Sequence, residues 1–217
     1  GGQSLSTEGA QSSGAVVVTM PTQPAASAAE ESRKTLREIE EEAWQIAAAK
    51  REESMFDQME AELRQSIQDV VELADMSANL VIDVTEDGMR IQLIDNDRRS
   101  MFKTGGAELY GYAQKMLSRI AKSINKMPNR ISITGHTDAS NFMRADGYSN
   151  WELSSDRANA ARRVLLASSV STDRFSEVLG KASTEPLLPD NPMRPENRRI
   201  SILLIREAPV LPPDSRY

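Results

Sequence analysis

The sequence predicts an α+β fold: a two-layer sandwich of a mixed β-sheet with helices on one face, preceded by a long N-terminal helix. Three observations predict it. No Gly or Pro interrupts residues 25–87, where helix-forming residues dominate. Glu86-Asp87-Gly88 then separates two alternating apolar runs, as in a β-hairpin. Beyond residue 100, segments with helical and strand periodicity alternate up to a final apolar strand.

The N-terminal third divides into two segments of different composition. Residues 1–29 are rich in Ser, Gly, Ala and Pro and predict a flexible linker. Residues 30–79 carry 14 acidic and 6 basic side chains, a net charge of −8, and predict a long acidic helix over 30–77. We expect this helix to act as a spacer, a dimerisation element or a regulatory segment.

Two apolar seams, each a row of apolar side chains at helical spacing, run along that predicted helix. The first comprises Leu36, Ile39, Ala43 and Ile46, and the second comprises Phe56, Met59, Leu63, Val70 and Leu73. Neither lasts four heptads, so the pattern leaves open a coiled coil, a straight spacer, a bent pair of helices or a solvated single helix held by side-chain ion pairs. Self-association or docking through a seam is favoured because both seams are apolar.

Residues 80–207 predict the sandwich, and residues 208–217 a loose tail. The expected elements, in order, are hairpin strands at Leu80–Thr85 and Met89–Ile94, a helix from Leu109 to Ile124, a strand at Ile131, a helix after Ser149, a brief strand at Phe175–Leu179 and a last strand at Ile200–Ile205. Ser149 and Glu152 have the spacing of a capping box. The last strand is too apolar to lie at an edge of the sheet.

Composition excludes several kinds of chemistry. The chain has no cysteine and one histidine, His136, so disulfides, thiolate catalysis and a multi-histidine metal site are excluded, and no cofactor is expected. The net charge of −6 argues against nucleic-acid binding. No apolar run is long enough to span a bilayer, although a membrane segment upstream of residue 1 is left open. We expect a binding protein rather than an enzyme.

One constellation has the chemistry of a receptor for a zwitterion. Asn150, Ser154 and Arg157 share a helix face, and Asp138 leaves the end of the preceding strand. A guanidinium and a carboxylate that are not fully paired with each other can bind the carboxylate and ammonium of a free amino-acid end. The alternative is a purely structural Asp–Arg pair in a helix-capping network.

Three motifs in order resemble the OmpA-like peptidoglycan-binding domain over about residues 80–207. They are Gly135-His136-Thr137-Asp138, Asn150-x-x-Leu153-Ser154-x-x-Arg157-Ala158 and Asn197-Arg198-Arg199-Ile200. The resemblance implies a periplasmic domain that holds the diaminopimelate of the peptidoglycan stem peptide through Asp138 and Arg157. It places Thr137, Asn150, Leu153, Ser154 and Arg198 in the same site. Of the two adjacent arginines, only one can point toward it.

Within the family, two features refine the expectation. The run Gly147–Ser154, continued by Asp156–Ala160, is similar to members that anchor flagellar motor stators to the wall. That similarity implies a homodimer, an upstream helix in the inner membrane and a membrane-embedded partner subunit. The family usually has a Gly soon after the Thr-Asp pair, whereas here Gly147 is nine residues past Asp138, so the inserted Ser140–Asp146 is expected to reshape or shade the pocket.

Other interpretations stay open. The same fold occurs as the tail of an outer-membrane lipoprotein or porin, which would lack the long acidic helix. A peptidoglycan hydrolase would need a carboxylate pair such as Asp138 and Asp146. His136 is expected to be structural, and Tyr148 and Trp151 either cover the ligand or cap the helix.

Overall fold

The computed structural model describes Gly2, residues 25–70, Leu73 and residues 76–207, with the backbone alone for 25–29. Most of the predicted linker and the predicted tail, 208–217, lie outside the described residues. Contacts divide the chain into two compact units, Gly1–Ala43 and Trp44–Tyr217. The sandwich predicted over residues 80–207 lies inside the second unit.

The first helix, α1, runs over Ala25–Gln68. It begins five residues before the predicted start and ends before residue 77. In the first unit, Leu36 and Ile39 of the first seam are 59% and 56% exposed. In the second unit, Phe56 and Leu63 of the second seam are fully buried. The second seam therefore belongs to the core of the second unit, while the role of the helix as a spacer or dimerisation element stays a prediction.

Polar contacts inside the second unit fasten the later part of α1. The buried Glu52 carboxylate accepts hydrogen bonds from Asn129 Nδ2 at 2.7 Å and from the backbone N–H of Glu207 at 2.9 Å. Arg206 Nη1 lies 3.7 Å from the same carboxylate, and its guanidinium lies 5.5 Å from the centre of the Phe56 ring. Such a charge can be buried in the protein only because hydrogen-bond donors surround it.

The sandwich contains five strands and two helices. They are β1 Leu80–Thr85, β2 Gly88–Ile94, α2 Gly111–Ile124, β3 Ile131–His136, α3 Asn150–Ala167, β4 Phe175–Gly180 and β5 Arg199–Ile205. The strand order is β1-β2-β5-β3-β4, with β3 and β4 parallel and the other neighbours antiparallel. The predicted mixed sheet is confirmed, and the apolar last strand is internal, as expected.

Helix α3 packs unusually closely on the strands that flank it. A Cβ added to Gly135 in β3 would lie 2.0 Å from the Ser154 carbonyl oxygen. One added to Gly180 in β4 would lie 2.1 Å from Ser155 Oγ. Only glycine permits this approach, because any side chain would overlap helix atoms. It sets the first turns of α3 against the end of β3, where the Thr137-Asp138 pair begins.

The start of α3 is determined locally. Ser149 Oγ accepts a hydrogen bond from the backbone N–H of Trp151, and the Glu152 carboxylate accepts one from the Ser149 N–H at 2.7 Å. These bonds satisfy two backbone donors at the helix terminus, as the predicted capping box requires. The side chains of Asn150, Leu153 and Arg157 are thereby presented on one side of a helix with a defined first residue.

Candidate functional site

A pocket of about 350 Å³ opens where β3, α3 and the start of β5 meet. Two loops complete it, one over residues 100–105 and the other formed by the insert after Asp138. Six of the seven predicted site residues line it: Thr137, Asp138, Asn150, Leu153, Arg157 and Arg198. Ser100, Phe102, Thr104, Gly105, Ser140 and Phe142 supply the remaining walls.

Asp138 is paired with Arg198. Its Oδ2 accepts a hydrogen bond from Arg198 Nη1 at 2.7 Å, and its Oδ1 accepts one from the Ser140 N–H at 3.0 Å. The side chain is largely buried. A carboxylate has about four lone-pair positions, so roughly two remain to accept further donors.

Arg198 bridges two carboxylates. Its Nε donates to Asp95 Oδ2 at 2.9 Å, while its Nη1 donates to Asp138. Burial opposes the charge, but the hydrogen bonds to the two carboxylates raise the pKa of Arg198 above its ordinary value. Sequence analysis missed Asp95. It follows β2 directly, yet its relevance appears only once β2 is known to pair with β5.

Arg157 is held through its Nε by a backbone carbonyl and not by a carboxylate. Its Nε donates to the Gly106 carbonyl oxygen at 3.0 Å, and its guanidinium lies 4.9 Å from the centre of the Phe102 ring. Burial lowers the pKa of Arg157, although nearby Asp95 opposes the shift. Within the described part of the chain, neither Nη1 nor Nη2 makes a hydrogen bond or an ion pair. Asp138 and Arg157 therefore line one pocket without forming an ion pair with each other.

Two smaller polar side chains complete the polar wall. Thr137 is fixed by its backbone N–H, which donates to the Ala182 carbonyl at 2.8 Å. Its buried Oγ1 has no hydrogen-bond partner among the described residues. Asn150 Nδ2 donates to the Ser140 carbonyl at 2.8 Å. A buried hydroxyl without a partner is costly, so the Thr137 hydroxyl is suited to bind a group that enters the pocket.

Ser154 lies outside the pocket despite its place in the motif. It is fully buried, its Oγ donates to the Trp151 carbonyl at 3.0 Å, and it accepts from the Ala182 N–H at 3.0 Å. It therefore holds the loop after β4 against α3. Trp151 is 52% exposed, and it also lies outside the pocket lining.

The insert forms one wall of the pocket. Phe142 lines the cavity beside Gly105, whose φ of +64° is a conformation that glycine adopts without strain. Tyr148, two residues past the insert, contacts α3, donating from its hydroxyl to Asp156 Oδ2 at 2.7 Å. Desolvation and this hydrogen bond raise the pKa of Tyr148 to about 12. The insert thus supplies Ser140 and Phe142 to the pocket wall, and the expectation that it reshapes the pocket stays a prediction.

Arg199 points away from the pocket, as the alternation of β5 requires. Its Nε donates to Gln92 Oε1 at 3.1 Å, and its Nη2 donates to the Glu185 carbonyl at 2.9 Å.

The register partner of Arg199 in β3 is His136, which is 4% exposed and whose Nδ1 has no hydrogen-bond partner among the described residues. Burial, assisted by Arg199, lowers the pKa of His136 to about 4.

His136 predicts an acid-sensitive fold. Between pH 6.5 and 4 the unfolded chain protonates this imidazole and the folded chain does not, so the free energy of unfolding falls as the pH is lowered. From pH 7 to 5 the expected loss is about 2 kcal/mol, since below pH 6.5 each further pH unit removes up to ~1.4 kcal/mol. Denaturant unfolding of the wild type and His136→Gln at pH 7, 6 and 5 measures it. Equal pH slopes for both proteins would contradict the buried neutral histidine.

Two features are absent from the described residues, a metal-binding cluster and a membrane-crossing helix. In residues 25–70, 73 and 76–207, no group of three or more His, Asp or Glu side chains is placed to hold a metal ion. Of the helices in that part of the chain, none combines the length and the apolar character that crossing a membrane requires.

The fold and pocket define an OmpA-like domain, and residues 101–199 match the OmpA family. The chain belongs to this family. It is 40% identical over 157 residues to motility protein B of Escherichia coli K12. The matched region covers 72% of this chain and 51% of the relative. The chain thus spans about half the length of that relative.

Solved structures are similar in the same region. The periplasmic domain of Helicobacter pylori MotB superposes with a TM-score of 0.52 at 25% identity, covering 59% of this chain and 80% of that one. The cell wall anchor of the T6SS from Pseudomonas aeruginosa gives a TM-score of 0.53 at 26% identity, covering 63% and 95%. Both similarities support the predicted architecture.

Proposed function

We propose that this chain is the periplasmic part of a flagellar motor stator subunit of the MotB type, and that it anchors the stator by binding peptidoglycan without covalent bonds. The similarity to motility protein B and to the MotB periplasmic domain supports the stator assignment. The similarity to a cell wall anchor supports the binding assignment. The proposed ligand is the free amino-acid end of diaminopimelate in the stem peptide.

One observation carries the ligand assignment: the Arg157 guanidinium lines the pocket, and no carboxylate of a described residue is bound to it. Its two Nη groups can hold a ligand carboxylate in bidentate fashion. The remaining lone pairs of Asp138 can accept from the ligand ammonium. Asp95 and Asp138 balance Arg157 and Arg198, so the pocket suits a zwitterion better than a simple anion or cation. Phe102, Phe142 and Leu153 offer apolar contacts to the methylenes of the ligand.

The partners follow from the stator assignment. The parent protein would be anchored in the inner membrane by an upstream helix, would form a homodimer and would assemble with MotA. A single pocket of this size implies modest affinity for one stem peptide. Two pockets per dimer, and many stators around one motor, would lengthen residence on the wall through effective concentration.

A catalytic role receives little support from the carboxylates. The two that sequence analysis paired are in different settings: Asp138 is held by Arg198, while Asp146 accepts from the Tyr148 N–H and is not part of the pocket lining. A glycosidase needs two carboxyl groups on opposite sides of one bond. The lipoprotein and porin alternatives are not favoured, because the chain resembles motility protein B over 157 residues.

Retention on purified diaminopimelate-type sacculi tests the proposal. We expect the wild type to co-sediment, free meso-diaminopimelate to compete, and Asp138→Asn to lose at least tenfold in affinity, because the amide cannot neutralise Arg198 and an ammonium together. Circular dichroism and thermal unfolding confirm that the variant is folded. Undiminished retention by a folded Asp138→Asn variant would refute the site, and soluble products released from labelled wall would favour a hydrolase.

A further inference from the structure

Arg144, in the middle of the insert, connects the two loops that border the pocket. Its Nη2 donates to the Gly105 carbonyl at 2.8 Å. Its guanidinium lies 4.3 Å from the centre of the Tyr148 ring and 5.6 Å from that of Phe142. Phe142 and Tyr148 meet edge to face, 6.1 Å apart. One side chain therefore packs the insert together and bonds it to the facing loop.

The facing loop is the one that positions Arg157. The Gly105 carbonyl accepts from Arg144, and the next carbonyl, that of Gly106, accepts from Arg157 Nε. Residues 103–108 form a short turn closed by the Lys103 N–H, which donates to the Glu108 carbonyl at 2.9 Å. Two consecutive peptide groups of this turn are thus held from opposite sides, one by the insert and one by α3.

The Phe142 ring reinforces the same junction. A Cβ built on Gly105 would lie 3.4 Å from the ring, so the ring already packs against the Gly105 backbone. Asn150 of α3 donates to the carbonyl of Ser140, the first residue of the insert. Because the insert is attached to α3 through Ser140 and to the facing loop through Arg144, its conformation and that of the Gly105–Gly106 turn depend on each other.

We propose that Arg144 is a positioning residue: it fixes the Gly105–Gly106 turn and so orients the Arg157 guanidinium toward the ligand. This rests on the proposed function only for the identity of the ligand. A planar guanidinium can donate in its plane while its face lies over an aromatic ring, whereas a lysine ammonium has no flat face to present. The insert that departs from the usual family pattern thereby becomes part of the recognition apparatus.

Binding of soluble meso-diaminopimelate stem tripeptide by calorimetry is the first test. We expect Arg144→Ala to weaken binding about tenfold, and Arg144→Lys to recover less than half of the lost binding free energy. Arg163→Ala, an exposed arginine of α3 outside this pocket, is the matched control and is expected to bind as the wild type does. Full recovery by Arg144→Lys, or affinity within twofold of wild type for Arg144→Ala, would overturn the proposal.

A ligand-free measurement separates this inference from the proposed function. In the wild type, the Arg157 Nε–H is bonded to a carbonyl and is expected to exchange slowly with water by NMR. Arg144→Ala should accelerate that exchange at least tenfold, without change in protected amides of β3 and β5. Unchanged exchange would refute the positioning role even if the tripeptide binds. Failure of the wild type to bind the tripeptide, with accelerated exchange in the variant, would refute only the proposed ligand.

Discussion

Replacing Arg157 with alanine is expected to lower affinity for diaminopimelate-type peptidoglycan about 100-fold. The variant removes the two Nη donors that would hold the ligand carboxylate, and truncating one partner of a buried charged pair costs about 2–5 kcal/mol. It also leaves Asp138, Asp95 and Arg198 with a net negative charge, which disfavours an anionic group. Equilibrium binding to purified sacculi, or calorimetry with the stem tripeptide, measures the loss.

Arg157→Lys distinguishes geometry from charge. Lysine keeps the positive charge but cannot donate to Gly106 and bind a carboxylate through a rigid fork, so we expect most of the loss to persist. Arg163→Ala on the same helix should bind as wild type does. If Arg157→Ala retained wild-type affinity while remaining folded, the pocket could not be the peptidoglycan site.

Gly135→Ala is expected to destabilise the domain more than any other single methyl addition described above. The new Cβ would lie 2.0 Å from the Ser154 carbonyl oxygen and 2.9 Å from the Ser154 carbonyl carbon, both backbone atoms of α3. The helix must shift, and overpacking of this kind costs roughly 3 kcal/mol. Because α3 carries Asn150, Leu153 and Arg157, the shift should also weaken binding. Urea unfolding and the sacculus assay measure the two effects.

Gly111→Ala is the matched control for that substitution. Gly111 is the first residue of α2, and a Cβ built there meets nothing within 4 Å. Its free energy of unfolding should stay within about 0.5 kcal/mol of wild type, since alanine is at least as favourable as glycine in a helix. A Gly135→Ala protein as stable as the control would contradict the close approach of α3 to β3.

Local patterns predicted most of the elements correctly because their causes are local. The Asp-Gly turn defines the hairpin, Ser149 and Glu152 define the start of α3, and the extended backbone that leads into β5 sends Arg198 and Arg199 to opposite sides. The bounds of α1 were less accurate. It ends at Gln68, ahead of Leu73 and Met76, which are buried. Which apolar seam is buried also depends on the surface it meets.

The residue types of the site could be predicted from the sequence: a carboxylate after one strand, an arginine on the next helix and an arginine before the last strand. The tertiary structure alone decided how they are paired. Arg198 bonds both Asp138 and Asp95, which follows β2, whereas Arg157 bonds a loop carbonyl through its Nε and forms no ion pair with any described residue. Which charges pair depends on distances across the sheet, and these distances are set by the order of the strands. The strand order in turn arises from the packing of segments that are far apart in the chain.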